Sequence, residues 1–232
     1  MGKFVIVGAS KGIGYQIAQD LINSNHQVIN FSRTPSSILG IENHEWDASR
    51  NDFEVFQSVQ ENIDGLVYSP GTISLKPFNR FSIQDFEKDF QINVLGAIGV
   101  IQALLPKLKE NQSASIVLFS TVAAQTGMNF HASIASAKGA IEGLTRSLAA
   151  EFASSGIKVN AIAPSITKTD LSATLLNTPE KIETSAKRHP LNKIGYPEDI
   201  SNLACFLLSD KNNWITGQII HIDGGMSTLK PL

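Results

Sequence analysis

Residues 4–7, Phe4-Val5-Ile6-Val7, form a wholly apolar run, and Gly8-Ala9-Ser10-Lys11-Gly12-Ile13-Gly14 follows at once and leads into a stretch of helical period. That succession restricts the architecture more than any other part of the chain. A run that is apolar at every position suits a strand buried on both faces, which requires helices on both sides of its sheet. Glycines permit a tight turn out of such a strand. The helix that follows presents unpaired N–H groups and the positive end of its dipole, so strand, turn and helix together form a seat for a pyrophosphate.

The alternation continues along the chain. Apolar runs at 28–31, 65–68, 115–119, 158–162 and 218–222 read as further strands, and helical period appears over 13–24, 86–109, 134–152, 179–187 and 197–208. Such an order predicts βαβ units, hence an α/β class with a Rossmann-type doubly wound sheet flanked by helices on both faces. Ser82 with Asp85, and Thr178-Pro179 ahead of Glu180, have the residue types of helix starts. At 232 residues the chain can bury a sizeable core as one domain, and no repeat, low-complexity tract or linker divides residues 1–232. Residues 165–188, rich in Thr, Ser and Lys, show the least regular pattern and are expected to form a surface flap beside a substrate.

Composition narrows the partners. Nineteen Lys+Arg against 21 Asp+Glu leave a net charge of -2, so no global field recruits nucleic acid or an anionic membrane. No apolar run reaches the roughly 18 residues of a membrane span. A small-molecule partner is expected. Cys205, the one cysteine, lies in the apolar run Leu203-Ala204-Cys205-Phe206-Leu207-Leu208 and is expected to be a buried thiol, which suits a reducing cytoplasm. The first residues run directly into a strand, with no signal-peptide pattern. The histidines show no metal-ligand spacing, and no metal is expected.

About 20 residues after such a glycine turn, NAD-binding sites usually offer an acid to the adenosine ribose. Here the second strand ends in Asn30-Phe31-Ser32-Arg33, with no acid. Ser32 and Arg33 are suited to a 2′-phosphate, with Lys11 as a second cation, so NADP(H) is preferred over NAD(H).

These residues resemble the classical short-chain dehydrogenase/reductases over essentially the whole chain. The glycine motif is matched from Gly8 to Gly14, with Val7 in place of its leading threonine. Asp47-Ala48 resembles the dipeptide that reads the adenine, and Asp64-Gly65-Leu66-Val67-Tyr68-Ser69-Pro70-Gly71 stands where the family writes D-x-L-V-N-N-A-G. Asn93, Lys138-Gly139-Ala140, Val159-Asn160-Ala161-Ile162-Ala163-Pro164 and Ile222-Asp223-Gly224-Gly225 continue the match, with Ser165 in place of the glycine that usually follows Pro164. The C-terminal block is most similar to the 3-oxoacyl-acyl-carrier-protein reductases.

The resemblance implies a seven-stranded parallel sheet and a homo-oligomer, dimer or tetramer. It also implies that Gly8, Ser10, Lys11, Gly12, Ile13, Gly14, Ser32, Arg33, Asp47, Ala48, Ser69, Pro70, Gly71, Lys138, Pro164, Thr167 and Thr169 contact NADP(H). The family's proton donor is a tyrosine four residues before the lysine, on the same helical face. Counting back from Lys138 gives Ile134, and Gly127, seven residues earlier, supports the register. Thr121 then takes the place of the substrate-orienting serine, and Asn93 that of the asparagine that anchors a relay water. Isoleucine has no exchangeable proton. His131, one helical turn earlier, carries an imidazole that can exchange a proton and is a candidate substitute. Two functions remain open: an NADP(H)-dependent oxidoreductase acting on a carbonyl or alcohol, with a 3-oxoacyl thioester as one candidate, or a catalytically silent NADP(H)-binding scaffold or inactive subunit of a hetero-oligomer.

Overall fold

The computed structural model describes residues 1–111 and 113–230. Its strands are β1 (Lys3–Val7), β2 (Gln27–Ser32), β3 (Glu42–Glu45), β4 (Gly65–Tyr68), β5 (Ser115–Phe119), β6 (Lys158–Pro164) and β7 (Ile219–Ile222). They form one sheet in the order β3-β2-β1-β4-β5-β6-β7. Every pairing is parallel. The seven-stranded, doubly wound α/β architecture is therefore the fold of this chain. Six strands fall on the apolar runs. β3, Glu42-Asn43-His44-Glu45, has no such run because it lies at the sheet edge and is largely exposed.

The helices are α1 (Gly12–Asn23), α2 (Ile83–Phe90), α3 (Gly96–Lys109), α4 (Ala132–Phe152), α5 (Pro179–Ala186) and α6 (Pro197–Leu208). Strand alternation sends β1 residues to opposite layers. Val5 and Val7 pack with Leu104, Ile116 and Ile141. Phe4 and Ile6 pack with Ile17, Ala18 and Leu207 on the other face. Burying each such aliphatic side chain contributes about 1.5–3 kcal/mol before entropy is counted.

α2 begins at Ile83, three residues ahead of the expected start, because Ser82 and Asp85 close a capping box: Ser82 Oγ accepts from Asp85 N at 3.2 Å and Asp85 Oδ2 from Ser82 N at 2.9 Å. A π-helical segment, Gln91–Leu95, joins α2 to α3. The resulting helix, Ile83–Lys109, is long and apolar enough by length and composition to cross a membrane, contrary to the expectation from apolar runs. The difference arises because mean hydropathy tolerates interspersed polar residues; 44% of its most apolar window is buried in this fold. Cys205 is half-buried rather than buried, since α6 turns Ala204, Leu207 and Leu208 inward and leaves the thiol on its flank. Within 165–188 the chain forms a bridge from Thr167 to Gly195, a 3-10 turn over Asp170–Leu175, and α5, capped by Thr178.

Candidate active site

The glycine turn is held from beneath. Gly8 and Gly12 have φ of 92° and 60°, where a side chain would be strained. A Cβ on Gly14 would lie 2.4 Å from both the Gly8 carbonyl oxygen and Ser69 Oγ. The Ser69 hydroxyl donates to the Val7 carbonyl at 2.7 Å, so this side chain supports the turn. Asn30 Oδ1 accepts from Ala9 N at 2.9 Å, and its amide donates to Ser32 Oγ and Asn43 Oδ1, both at 2.8 Å. One buried asparagine thus joins the turn to the tip of β2. The first turn of α1 has neither a side-chain cap nor an acidic residue. Its first N–H groups have no partner within the helix, an arrangement that fits an anionic pyrophosphate.

Ser32 and Arg33 line a hollow of about 160 Å³ with Pro35, Asn43, His44 and Glu45. The Ser32 hydroxyl donates to the Thr34 carbonyl at 2.7 Å. Lys11 does not line this hollow; its ammonium lies 3.3 Å from Asp170 Oδ2, with both side chains exposed. Asp47 Oδ1 accepts from Ser49 N at 2.9 Å, and that bond, with the charges of Arg33 and Arg50, holds its carboxyl below the usual range despite partial burial.

A larger cleft, about 500 Å³, opens at the C-terminal ends of the strands. Ile13, Ser69, Gly71, Thr121, His131, Ile134, Lys138, Pro164, Thr167 and Thr169 line it; Pro70, Asp47 and Ala48 do not. Lys138 is buried, and its Nζ donates to the Phe119 carbonyl at 2.8 Å. Burial pushes the ammonium pKa down to about 8, and the Asp89 carboxylate opposes the shift. Asn93 sits in the π segment. A Cβ on Gly71 would lie 3.6 Å from Asn93 Oδ1 and 3.9 Å from Lys138 Nζ, so these three residues meet at one spot.

Asp89, only 1% exposed, was not signalled by the sequence. Thr72 Oγ1 donates to its Oδ1 and Ser133 Oγ to its Oδ2, each at 2.6 Å. Asn93 Nδ2 donates to Thr72 Oγ1 at 3.0 Å and to the Asp89 carbonyl at 2.8 Å. Asn93 Oδ1 is buried with no protein partner among the described residues. This network fixes the Asp89 carboxylate, held by the hydroxyls of Thr72 and Ser133, close enough to Lys138 for its charge to be felt there.

Thr121 faces the cleft, whereas Ser120 is turned inward and donates to Glu142 Oε1 at 2.8 Å. Ile134 offers an apolar wall beside Lys138. His131 precedes α4 at residue 131, and its Nδ1 lies 2.7 Å from the Asn129 carbonyl, which leaves Nε2 free of that bond. Tyr68 is buried, with its hydroxyl donating to the Ile92 carbonyl at 2.5 Å; burial raises its pKa well above the usual value.

Parallel strands between two helical layers, with a glycine turn and a buried lysine at their C-terminal ends, define a doubly wound α/β domain of the dehydrogenase class. The family model described as enoyl-(acyl carrier protein) reductase matches residues 8–227, and the chain belongs to this group of the short-chain dehydrogenase/reductase family. A tropinone reductase homolog of Arabidopsis thaliana is 32% identical, over 96% of this chain and 91% of the relative. The 3-oxoacyl-[acyl-carrier-protein] reductase FabG of Aquifex aeolicus is 30% identical, over 96% of each. A short chain dehydrogenase family protein from Francisella tularensis superposes with a TM-score of 0.91 at 30% identity, covering 99% of this chain and 100% of that one. ElxO with NADP bound gives 0.89 at 28% identity, covering 99% and 100%.

Proposed function

We propose that the chain is an NADP(H)-dependent oxidoreductase that interconverts a carbonyl and a hydroxyl, with a 3-oxoacyl thioester as the substrate to test first. The observation that carries this reading is Lys138, buried at the back of a cleft it shares with Thr121 and the rim of the glycine turn. The family match and the NADP bound to ElxO support it. NADP(H), when bound, supplies or accepts hydride at its nicotinamide. The uncapped start of α1 would hold the pyrophosphate, Arg33 the 2′-phosphate, and Lys138 the nicotinamide ribose. Thr121 would orient the substrate oxygen, with Asn93 anchoring a water towards Lys138. The apolar side chains of Ile73, Leu75, Met128, Leu171 and Leu175 suit an acyl chain.

Ile134 stands where the family keeps its tyrosine, so this chain lacks that proton donor, and His131 at the cleft mouth is a candidate replacement. General acid–base catalysis contributes about 10²–10⁴-fold, while positioning supplies much of the remainder. The apolar wall that Ile134 forms also favours a second reading, a silent NADP(H)-binding subunit. The decisive comparison is wild type against Thr121→Ser/Ile134→Tyr, with NADPH binding and acetoacetyl-thioester reduction measured in each. Slow turnover in wild type and a gain of decades in the double variant, at equal NADPH affinity, are expected. Binding without turnover over a broad carbonyl and alcohol panel would establish the silent subunit, and no nucleotide binding would sink both. On this reading residues 165–188 form the substrate flap, and the protein works as a cytoplasmic homo-oligomer.

A further inference from the structure

Ser165 and His189 form a hydroxyl–imidazole pair on the cleft wall, separate from the Lys138 network. His189 Nδ1 lies 2.8 Å from the Ser185 carbonyl, which can only accept, so Nδ1 carries a proton. Nε2 lies 2.9 Å from Ser165 Oγ, and the residue is 4% exposed. In the neutral ring Nε2 accepts, and the Ser165 proton points to it. In the protonated ring Nε2–H donates, and the Ser165 proton is released towards the cleft. One ring nitrogen therefore sets which way the hydroxyl points.

The pair also stands in a useful place. Ser120 N donates to the Ile162 carbonyl at 2.8 Å, locking the ends of β5 and β6 together. Thr121 and Ser165 follow on these two adjacent strand ends, which run about 4.8 Å apart. Lys138 Nζ is bonded to Phe119, the last residue of β5. His131, by contrast, is tied to its own loop at the mouth.

We propose that Ser165 is a catalytic residue that exchanges the proton with the substrate oxygen, and that His189 is the positioning residue that reloads it. This rests on the reductase reading above. In the reducing direction the carbonyl carbon gains hydride from the reduced nicotinamide nucleotide, and the carbonyl π pair moves to oxygen. That oxygen takes the proton of Ser165 Oγ, Oγ takes the proton of Nε2, and the ring ends neutral until water reprotonates it. Oxidation of the alcohol runs the same transfers backwards.

The test uses Ser165→Gly, Ser165→Thr and His189→Ala, with reduction of an acetoacetyl thioester and NADPH binding measured in each. Ser165→Gly is expected to lose about 10²-fold, the low end for general acid–base catalysis, from the already slow wild-type kcat, at unchanged KM and NADPH affinity. Ser165→Thr should keep most of the rate, and His189→Ala should lose kcat but not KM. A second readout needs no turnover: in ¹⁵N-edited spectra of the nucleotide-free protein, Ser165→Gly should move the His189 Nε2 signal towards that of an unbonded ring nitrogen. Undiminished kcat in Ser165→Gly, or an unmoved Nε2 signal, overturns the assignment and leaves the reductase reading standing. A wild type that binds NADPH and reduces nothing overturns both.

Discussion

Burial shifts the Lys138 ammonium towards its neutral form, with a pKa near 8, and the Asp89 carboxylate opposes that shift. A lysine so depressed has a definite pH signature. Below about 8 both folded and unfolded chains carry the proton, and the fold bears the full cost of burying it. Between 8 and the ordinary 10.5 only the unfolded chain keeps the proton, so wild type should gain stability with rising pH relative to Lys138→Met. Urea midpoints of the two proteins across that window check the sign. Asp89→Asn removes the opposing charge and should lower the Lys138 pKa further, measurable from its side-chain ¹³C shifts. Lys138, Thr121 and Asn93 were readable from the sequence because they follow fixed motifs and spacing. Asp89 was not, since Glu87-Lys88-Asp89 has the look of a solvated face, yet only its third member turns inward. Ser165 and His189, 24 positions apart, obey no spacing rule; the flap's path alone joins them.

Among the secondary-structure elements, the continuous helix Ile83–Lys109 shows how local signals share the work of placing the site. Its start is written in Ser82 and Asp85, and Ser82→Ala should cost about 1 kcal/mol in chemical denaturation. Its π segment has no sequence signature of its own. There the Ile92 carbonyl accepts from the buried Tyr68 hydroxyl, and a Cβ on Gly96 would lie 2.2 Å from that oxygen. Tyr68→Phe leaves the carbonyl without this donor and should destabilise by about 1–3 kcal/mol, with the largest amide shift changes around Asn93. Strand β3 escaped sequence reading for a different reason. An edge strand with pairing on one side needs no apolar run, and a polar one discourages pairing with other chains.

For the molecule as a whole, the two packed layers hold the strand ends rigidly enough to bring glycine turn, lysine and flap to one rim. Most of that architecture was legible because six strands are built mainly of apolar residues and five of them are largely buried, as a place between two helical layers demands. The flap's ordered contacts were less legible: Thr169 closes against Gly12, where a Cβ would lie 3.4 Å from its methyl, and Lys11 pairs with Asp170. Ligand binding should therefore stabilise the whole domain. At a hundredfold excess over its Kd, NADPH should add about 2.7 kcal/mol, read as a rise in Tm, and an equal concentration of NADH should add less if Arg33 meets the 2′-phosphate.

The π segment carries one more consequence, for how this chain can change. Such a bulge is in effect a single inserted residue, and each residue advances an α-helix by about 100°. Deleting one residue between positions 91 and 95 would restore a regular helix while rotating one half of Ile83–Lys109 against the other. Either Asp89 would swing away from Ser133 or the α3 face would lose its seat on the sheet. Length variants should therefore be accepted far more readily in the loops than at this point, and a library of single-residue deletions selected for folding would show a sharp gap there.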